Sequence, residues 1–124
     1  MRKLTFGFVL ACCTLLGGNS PAERAMQQAQ SKIAKSPDKA EGHRALAMAL
    51  ARRARETANT QFYDQALKAL EDADKLDPGR LENKKVKCWV LLGKHEFAAA
   101  LELAREINKK NPDDVMTYGL LADA

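Results

Sequence analysis

One cysteine and two histidines are the residues of this chain best suited to chemistry. Cys88 could act as a nucleophile with a histidine as its base, and His43 and His95 could bind a metal ion. Cys88 lies in an apolar run, which disfavours the reactive thiolate. The two histidines are 52 residues apart, and neither belongs to a recognised ligand spacing. We therefore predict that the chain is not an enzyme and binds neither a metal nor another cofactor.

The N-terminal segment has the features of an export signal. Arg2 and Lys3 precede a mostly apolar run over residues 4–16, which is too short to span a bilayer comfortably. We predict a signal peptide over residues 1–22, cleaved after Ala22, and an exported protein on the periplasmic or extracellular side. The alternative is acylation of Cys12, because residues 9–12 resemble the lipobox of bacterial lipoproteins. That alternative would tether the protein to a membrane.

Charge and cysteine content narrow the classes of partner. The formal net charge of +4 becomes +2 when Arg2 and Lys3 are removed with the signal, and each basic cluster has acidic neighbours. A balance this small does not predict nucleic-acid binding. Cys88 is the single cysteine outside the predicted signal, so no disulfide can form within one mature chain.

Three prolines divide the remaining sequence into helical units. Pro78 and Pro112 are 34 residues apart, and Pro37 lies 41 residues before Pro78. Runs with apolar residues at helical spacing flank each proline, and a 34-residue period is typical of a stacked two-helix unit. We predict an all-α antiparallel helix-pair solenoid of about six helices. Its parts are a leading half-repeat helix (23–36), a longer repeat (37–78), a regular repeat (79–112) and the first helix of a further, truncated repeat (113–124).

The apolar positions resemble those of the tetratricopeptide repeat. The first-helix pattern is matched by His43, Leu46 and Ala47, and again by Tyr118, Leu121 and Ala122. The second-helix pattern is matched by Tyr63, Ala66, Leu70, Ala73 and Pro78, and by Phe97, Ala100, Ala104, Ile107 and Pro112. The stretches 52–57, 89–97 and 118–124 are also similar to exported bacterial repeat proteins of uncharacterised role, in which further repeats follow. This resemblance implies that the natural chain continues past Ala124.

Two departures from the repeat leave alternatives open. The first full unit is seven residues too long around residues 52–60, which predicts either two extra helical turns or a longer turn. In the next unit, strict register places Lys84 and Lys87 at apolar positions. A shift of two residues would instead bury Val86 and Trp89 and lengthen the turn at residues 94–96. We favour the shift because apolar periodicity decides what packs.

The resemblance implies a concave groove, lined by the first helices, that binds a partner peptide. The residues placed there by strict register are Glu41, Arg44, Met48, Arg52, Glu82, Lys85, Trp89, Met116 and Asp123. Cations beside methionine and tryptophan suit an acidic-hydrophobic peptide. The competing interpretation is that the cations form a solvated face and that Trp89 belongs to the core. The lysine, asparagine and arginine set with which some family members grip a carboxylate is missing, because Met48 and Val86 occupy two asparagine positions.

These observations predict a non-catalytic scaffold for protein–protein interaction. Two alternatives remain. One is a lipoprotein assembly factor tethered at Cys12, and the other is an accessory repeat region of a longer protein with a catalytic domain beyond residue 124.

Overall fold

The computed structural model describes residues 19–124, so the predicted lipidation residue Cys12 and most of the predicted signal segment lie outside the described residues. Within this range the protein has six α-helices and no strand, which confirms the predicted all-α class. The helices are α1 (Pro21–Lys35), α2 (Ala40–Thr57), α3 (Gln61–Leu76), α4 (Leu81–Gly93), α5 (Phe97–Lys110) and α6 (Val115–Asp123).

The three prolines mark helix ends, as predicted. Helices α1, α3 and α5 each end two residues before a proline, with Ser36, Asp77 and Asn111 as the C-cap residues between. These residues share nearly the same backbone conformation, with φ between −138° and −144°. Proline disfavours the helical conformation in the residue before it, and its own nitrogen cannot donate to the helix. The same local chemistry therefore ends a helix three times.

The helices pack as neighbours along the chain, and the even-numbered helices also contact one another. One apolar cluster joins α2, α3 and α4, and a second joins α4, α5 and α6. Both clusters contain many alanines, such as Ala47, Ala66, Ala100 and Ala104, whose small side chains allow close approach of helices. Helix α4 contributes to both clusters and therefore holds the two halves together.

The excess length of the first unit lies in the helix rather than in a longer turn. Helix α2 has 18 residues and continues to Thr57, after which Ala58 has a left-handed backbone with φ of 53°. The last turn of α2 reaches the start of α1, where Glu56 Oε1 accepts a hydrogen bond from the Ala22 N–H at 3.1 Å. The extra turns thus give α1 contacts that a helix of ordinary repeat length would not supply.

In α4 the shifted register is met only in part, because Val86 is buried whereas Trp89 is half-buried. Val86, Cys88 and Val90 are buried, whereas Lys87 is exposed and Lys84 forms an ion pair with Glu106 on α5. Lys84 and Lys87 therefore do not occupy apolar positions in the core.

The start of the first helix lies close to the predicted signal-peptide cut after Ala22. Helix α1 already begins at Pro21, so a cut after Ala22 would fall inside its first turn. None of the helices in residues 19–124 combines the length and the apolar character that crossing a bilayer requires.

The first and last helices differ in the side chains that they expose. Helix α1 exposes polar residues such as Arg24, Gln27 and Ser31. Helix α6 exposes apolar ones, with Val115 at 81%, Met116 at 53% and Tyr118 at 54% of full accessibility. The array is therefore polar at its start and apolar along its last helix.

Candidate partner-binding site

Two of the predicted groove cations are engaged within the protein. The Arg44 guanidinium on α2 donates to Asn83 Oδ1 on α4 at 2.8 Å, and Lys85 on α4 forms an ion pair with Asp114, the N-cap of α6. Arg44 and Lys85 are 41 residues apart, the same spacing as Pro37 and Pro78, so they occupy equivalent positions in successive units. Each cation links one even-numbered helix to the next, and neither is available as a free charge for a partner.

The acceptor of Arg44 is a buried and fully bonded side chain. Asn83 is 1% exposed, and its amide donates to Asp74 Oδ1 at 3.0 Å and to the Asp77 carbonyl oxygen at 3.4 Å. A buried amide is tolerated in a helical array when its polar atoms have partners. Asn83 therefore joins α2, the end of α3 and α4 at one point.

A pocket of 270 Å³ opens between the C-terminal halves of α2 and α4 and the turn that follows α4. Its walls combine aromatic and small residues with one cation and one carboxylate. They comprise Ala51, Arg55, Tyr63, Trp89, Leu92, Gly93, His95, Phe97 and Asp123.

The aromatic geometry of the pocket depends on the turn at residues 94–96. His95 has a φ of 64°, and its ring meets Phe97 edge-on with centroids 5.5 Å apart. Elsewhere in the lining, Gly93 lies so close to Tyr63 that an added Cβ would be 2.7 Å from the ring. The absence of a side chain at Gly93 lets the Tyr63 ring lie against the end of α4.

Arg55 is the cation that the pocket offers to a ligand. Its guanidinium carbon lies 4.3 Å from the Trp89 ring centroid, and within residues 19–124 it forms no salt bridge. Nearby Lys94 is instead held by Asp64 and Glu96, each at 2.9 Å. The hydrogen bond to Asp64 is the main cause that raises the pKa of Lys94. Stacking on Trp89 orients Arg55 without neutralising its charge.

The predicted groove residues border several different features of the surface. Trp89 and Asp123 both line the pocket, but Met48 and Arg52 border a separate crevice of 180 Å³ between α1 and α2. Glu41 pairs with Lys32 at 3.0 Å, and Glu82 pairs with Arg80 at 2.6 Å. Met116 is exposed on α6. Trp89 is half-buried and contacts both apolar clusters, so the core and groove interpretations each describe one part of its side chain.

Several pocket residues were not predicted as part of the site. The sequence pattern places Tyr63 and Phe97 in the packing stripes of their helices and His95 in a turn. Arg55 could have been identified from its spacing, because it follows Arg52 by three residues on a helix. The aromatic residues carried no such signal, since 34-residue spacing places Tyr63 and Phe97 at the same repeat position although only Phe97 is exposed.

The candidate nucleophile Cys88 belongs to the second apolar cluster. Cys88 is fully buried, its Sγ lies 3.3 Å from the Ala100 carbonyl oxygen, and burial raises the pKa of its thiol. Residues 19–124 contain no group of three histidine, cysteine, aspartate or glutamate side chains placed to hold a metal ion.

Comparison with family models, with curated proteins and with solved structures finds no match for this chain. The structure itself shows an all-α protein whose helices pack in a repeat-like order, with an aromatic pocket near the C-terminal ends of α2 and α4.

Proposed function

We propose that this protein is a non-catalytic scaffold of the tetratricopeptide type that binds a segment of another protein. The observation that carries the proposal is the pocket at Trp89, where an unneutralised Arg55 lies over an aromatic ring beside exposed Phe97. The repeated helix ends at Pro37, Pro78 and Pro112 support the family. The contacts of Arg44 and Lys85, which each join two successive even-numbered helices, support the stacking.

The size of the pocket favours a peptide side chain over a complete small molecule. Its 270 Å³ lies below the roughly 300–1,000 Å³ of small-molecule sites. Tyr63, Trp89 and Phe97 offer apolar surface, and Arg55 offers hydrogen-bond donors to a carboxylate. The ligand is therefore an extended segment that places an apolar side chain next to an acidic one.

The position of the site differs from a groove centred on Arg44 and Lys85. Those two cations hold α2, α4 and α6 together, which leaves Arg55 to meet an acidic group on a partner. The binding surface thus lies toward the C-terminal ends of α2 and α4.

Site-directed photo-crosslinking in the native cells tests this proposal. A benzophenone amino acid at position 97 should give a discrete adduct whose partner peptide, mapped by mass spectrometry, contains adjacent acidic and apolar residues. The same group at exposed position 102 on α5 is the control, and Arg55→Glu should abolish the adduct from position 97. Equal adducts from both positions, or one that survives Arg55→Glu, would exclude the pocket as the binding site.

The site of action follows from the N-terminal sequence. The charged and apolar segment over residues 2–16, followed by Gly17 and Gly18, supports export. In the alternative form, acylation of Cys12 tethers the scaffold to a membrane, where it acts as an assembly factor. Metabolic labelling with a fatty acid that is lost in Cys12→Ala would establish that form.

A second candidate function is favoured by the exposed apolar residues of α6. Val115, Met116 and Tyr118 would suit packing by a further helix, as in an accessory repeat region of a longer protein with a catalytic domain. The intact mass of the protein from its native cells decides this, because a longer protein is heavier than the 13.7 kDa of this sequence.

A further inference from the structure

The residues just before and within the first turn of α1 form hydrogen bonds with one another and with α2. Ser20 Oγ accepts a hydrogen bond from the Glu23 N–H at 3.1 Å, and Glu23 Oε2 accepts one from the Ser20 N–H at 2.8 Å. This reciprocal pair is a capping box, which provides partners for backbone donors that a helix leaves unsatisfied at its start. Pro21 follows at the first helical position, where its missing N–H costs nothing.

The extended end of α2 binds the same segment. Glu56 accepts the Ala22 N–H, and Arg53 pairs with Glu23 at 2.7 Å and donates to Ser20 Oγ at 3.3 Å. Ala22 is completely buried. The contacts with Ser20 and Ala22 lower the pKa of the Glu56 carboxyl, the largest cause being the hydrogen bond with Ser20. Arg53 and Glu56, near the end of the lengthened α2, therefore form a clamp that holds residues 20–23.

A cut after Ala22 would dismantle this clamp. It would remove Ser20, the Pro21 ring and the buried Ala22 methyl group, so Arg53 and Glu56 would each lose a partner. It would also leave a charged ammonium on Glu23 in the first turn of α1, at the positive end of the helix dipole.

We infer that any leader is removed on the N-terminal side of Ser20, so that Ser20, Pro21 and Ala22 remain in the mature protein. The inference rests on the export proposed above. The peptide bonds that fit lie between residues 11 and 20, either after the small residues Gly17 and Gly18 or before Cys12. Cleavage after Gly17 or Gly18 gives a protein that starts close to α1. Cleavage before Cys12 gives a protein whose lipid anchor precedes α1 by a few residues.

The N-terminal peptide and the intact mass of the protein purified from its native cells test the inference. We expect a first residue between Cys12 and Ser20, and an added fatty-acyl mass distinguishes the lipidated form from simple cleavage. A protein that begins at Glu23 would overturn the inference. A protein that retains Met1 would instead overturn the proposed export, and its unprocessed mass would identify that outcome.

Thermal unfolding of the same purified protein provides an independent test. Ser20→Ala and Glu56→Gln should each lower the melting temperature by about 4–8 °C, the shift that loss of a helix cap causes in a domain of this size. The matched control is Glu71→Gln, which removes a carboxylate from an exposed position on α3. If the two clamp variants melt with the control, residues 20–23 are not needed by the fold and the inference fails.

Discussion

Arg44 Nη1 and Asn83 Oδ1 lie 2.8 Å apart and join α2 to α4 across a buried point of the helix array. Thirty-four residues after Asn83, the equivalent position holds Thr117, which is also buried and lies on α6. A buried polar residue therefore occupies the same position near the start of α4 and of α6. In α4 this residue is Asn83, and it accepts a hydrogen bond from Arg44 on α2.

Removing this cation should destabilise the protein. Arg44→Ala leaves the buried Asn83 oxygen without its donor, which should lower the free energy of unfolding by about 1–3 kcal/mol. Urea denaturation followed by circular dichroism measures the change. Arg52→Ala on the same helix is the matched control, because Arg52 is exposed, and it should change stability by less than about 0.5 kcal/mol. Equal stabilities of the two variants would mean that the Arg44 contact contributes nothing.

Two glycines should respond in opposite directions to the same substitution. Gly93→Ala places a Cβ 2.7 Å from the buried Tyr63 ring, so it should destabilise the protein by about 1–3 kcal/mol. Gly119→Ala in α6 meets nothing within 4 Å and should stabilise the helix by about 0.5–1 kcal/mol. Denaturant midpoints of the two variants check both signs, and a Gly93→Ala protein at least as stable as wild type would show that Tyr63 does not need this space.

Stability should fall in acid because folded-state contacts lower the pKa of several carboxyls. The hydrogen bond with Ser20 lowers the pKa of Glu56, and the hydrogen bond with Lys84 lowers that of Glu106. A carboxyl with a lowered folded-state pKa stabilises the fold above its ordinary pKa of 4.5, and this stabilisation is lost as the pH falls through the folded-state value.

Urea midpoints between pH 7 and pH 3 measure this loss, which should be smaller in Glu56→Gln than in wild type. If the variant loses as much stability as wild type over this range, Glu56 does not contribute to the acid sensitivity.

The thiol of Cys88 should be unreactive in the folded protein. It is buried against the Ala100 carbonyl, and burial raises its pKa, so little thiolate forms at neutral pH. Cys88 is the one cysteine in residues 19–124. A chromogenic disulfide reagent should therefore modify this range only at Cys88, and the reaction should be fast only in denaturant. Fast modification of the native protein would contradict the burial.

The sequence predicted the helix ends well because proline acts locally. Each of Pro37, Pro78 and Pro112 constrains the residue before it whatever else is nearby. Whether the extra residues of the first unit extend the helix or the turn was harder to predict. The arginines and alanines before Thr57 favour helix, while Asn59 and Thr60 favour a turn. The outcome depends on α1, whose start gives Arg53 and Glu56 their partners.

The site was less predictable because the state of a cation depends on residues far away in the chain. Arg44 and Arg55 both lie on α2. Asn83, 39 residues later, bonds the first, whereas Trp89 stacks on the second without neutralising it. Helical spacing alone does not distinguish these two outcomes.

Trp89 is the single tryptophan of the chain, so its fluorescence reports directly on the proposed pocket. The most direct measurement is a titration of the protein with an acetylated hexapeptide that alternates aspartate with phenylalanine and leucine, alongside a peptide with lysine in place of aspartate. We expect a saturable change in fluorescence with the acidic peptide. The affinity for this peptide should be lower by at least about tenfold in Arg55→Glu, a loss of roughly 1.4 kcal/mol of binding free energy, and unchanged in Arg105→Glu on α5. Equal responses to the two peptides, or an acidic response that survives Arg55→Glu, would contradict the account.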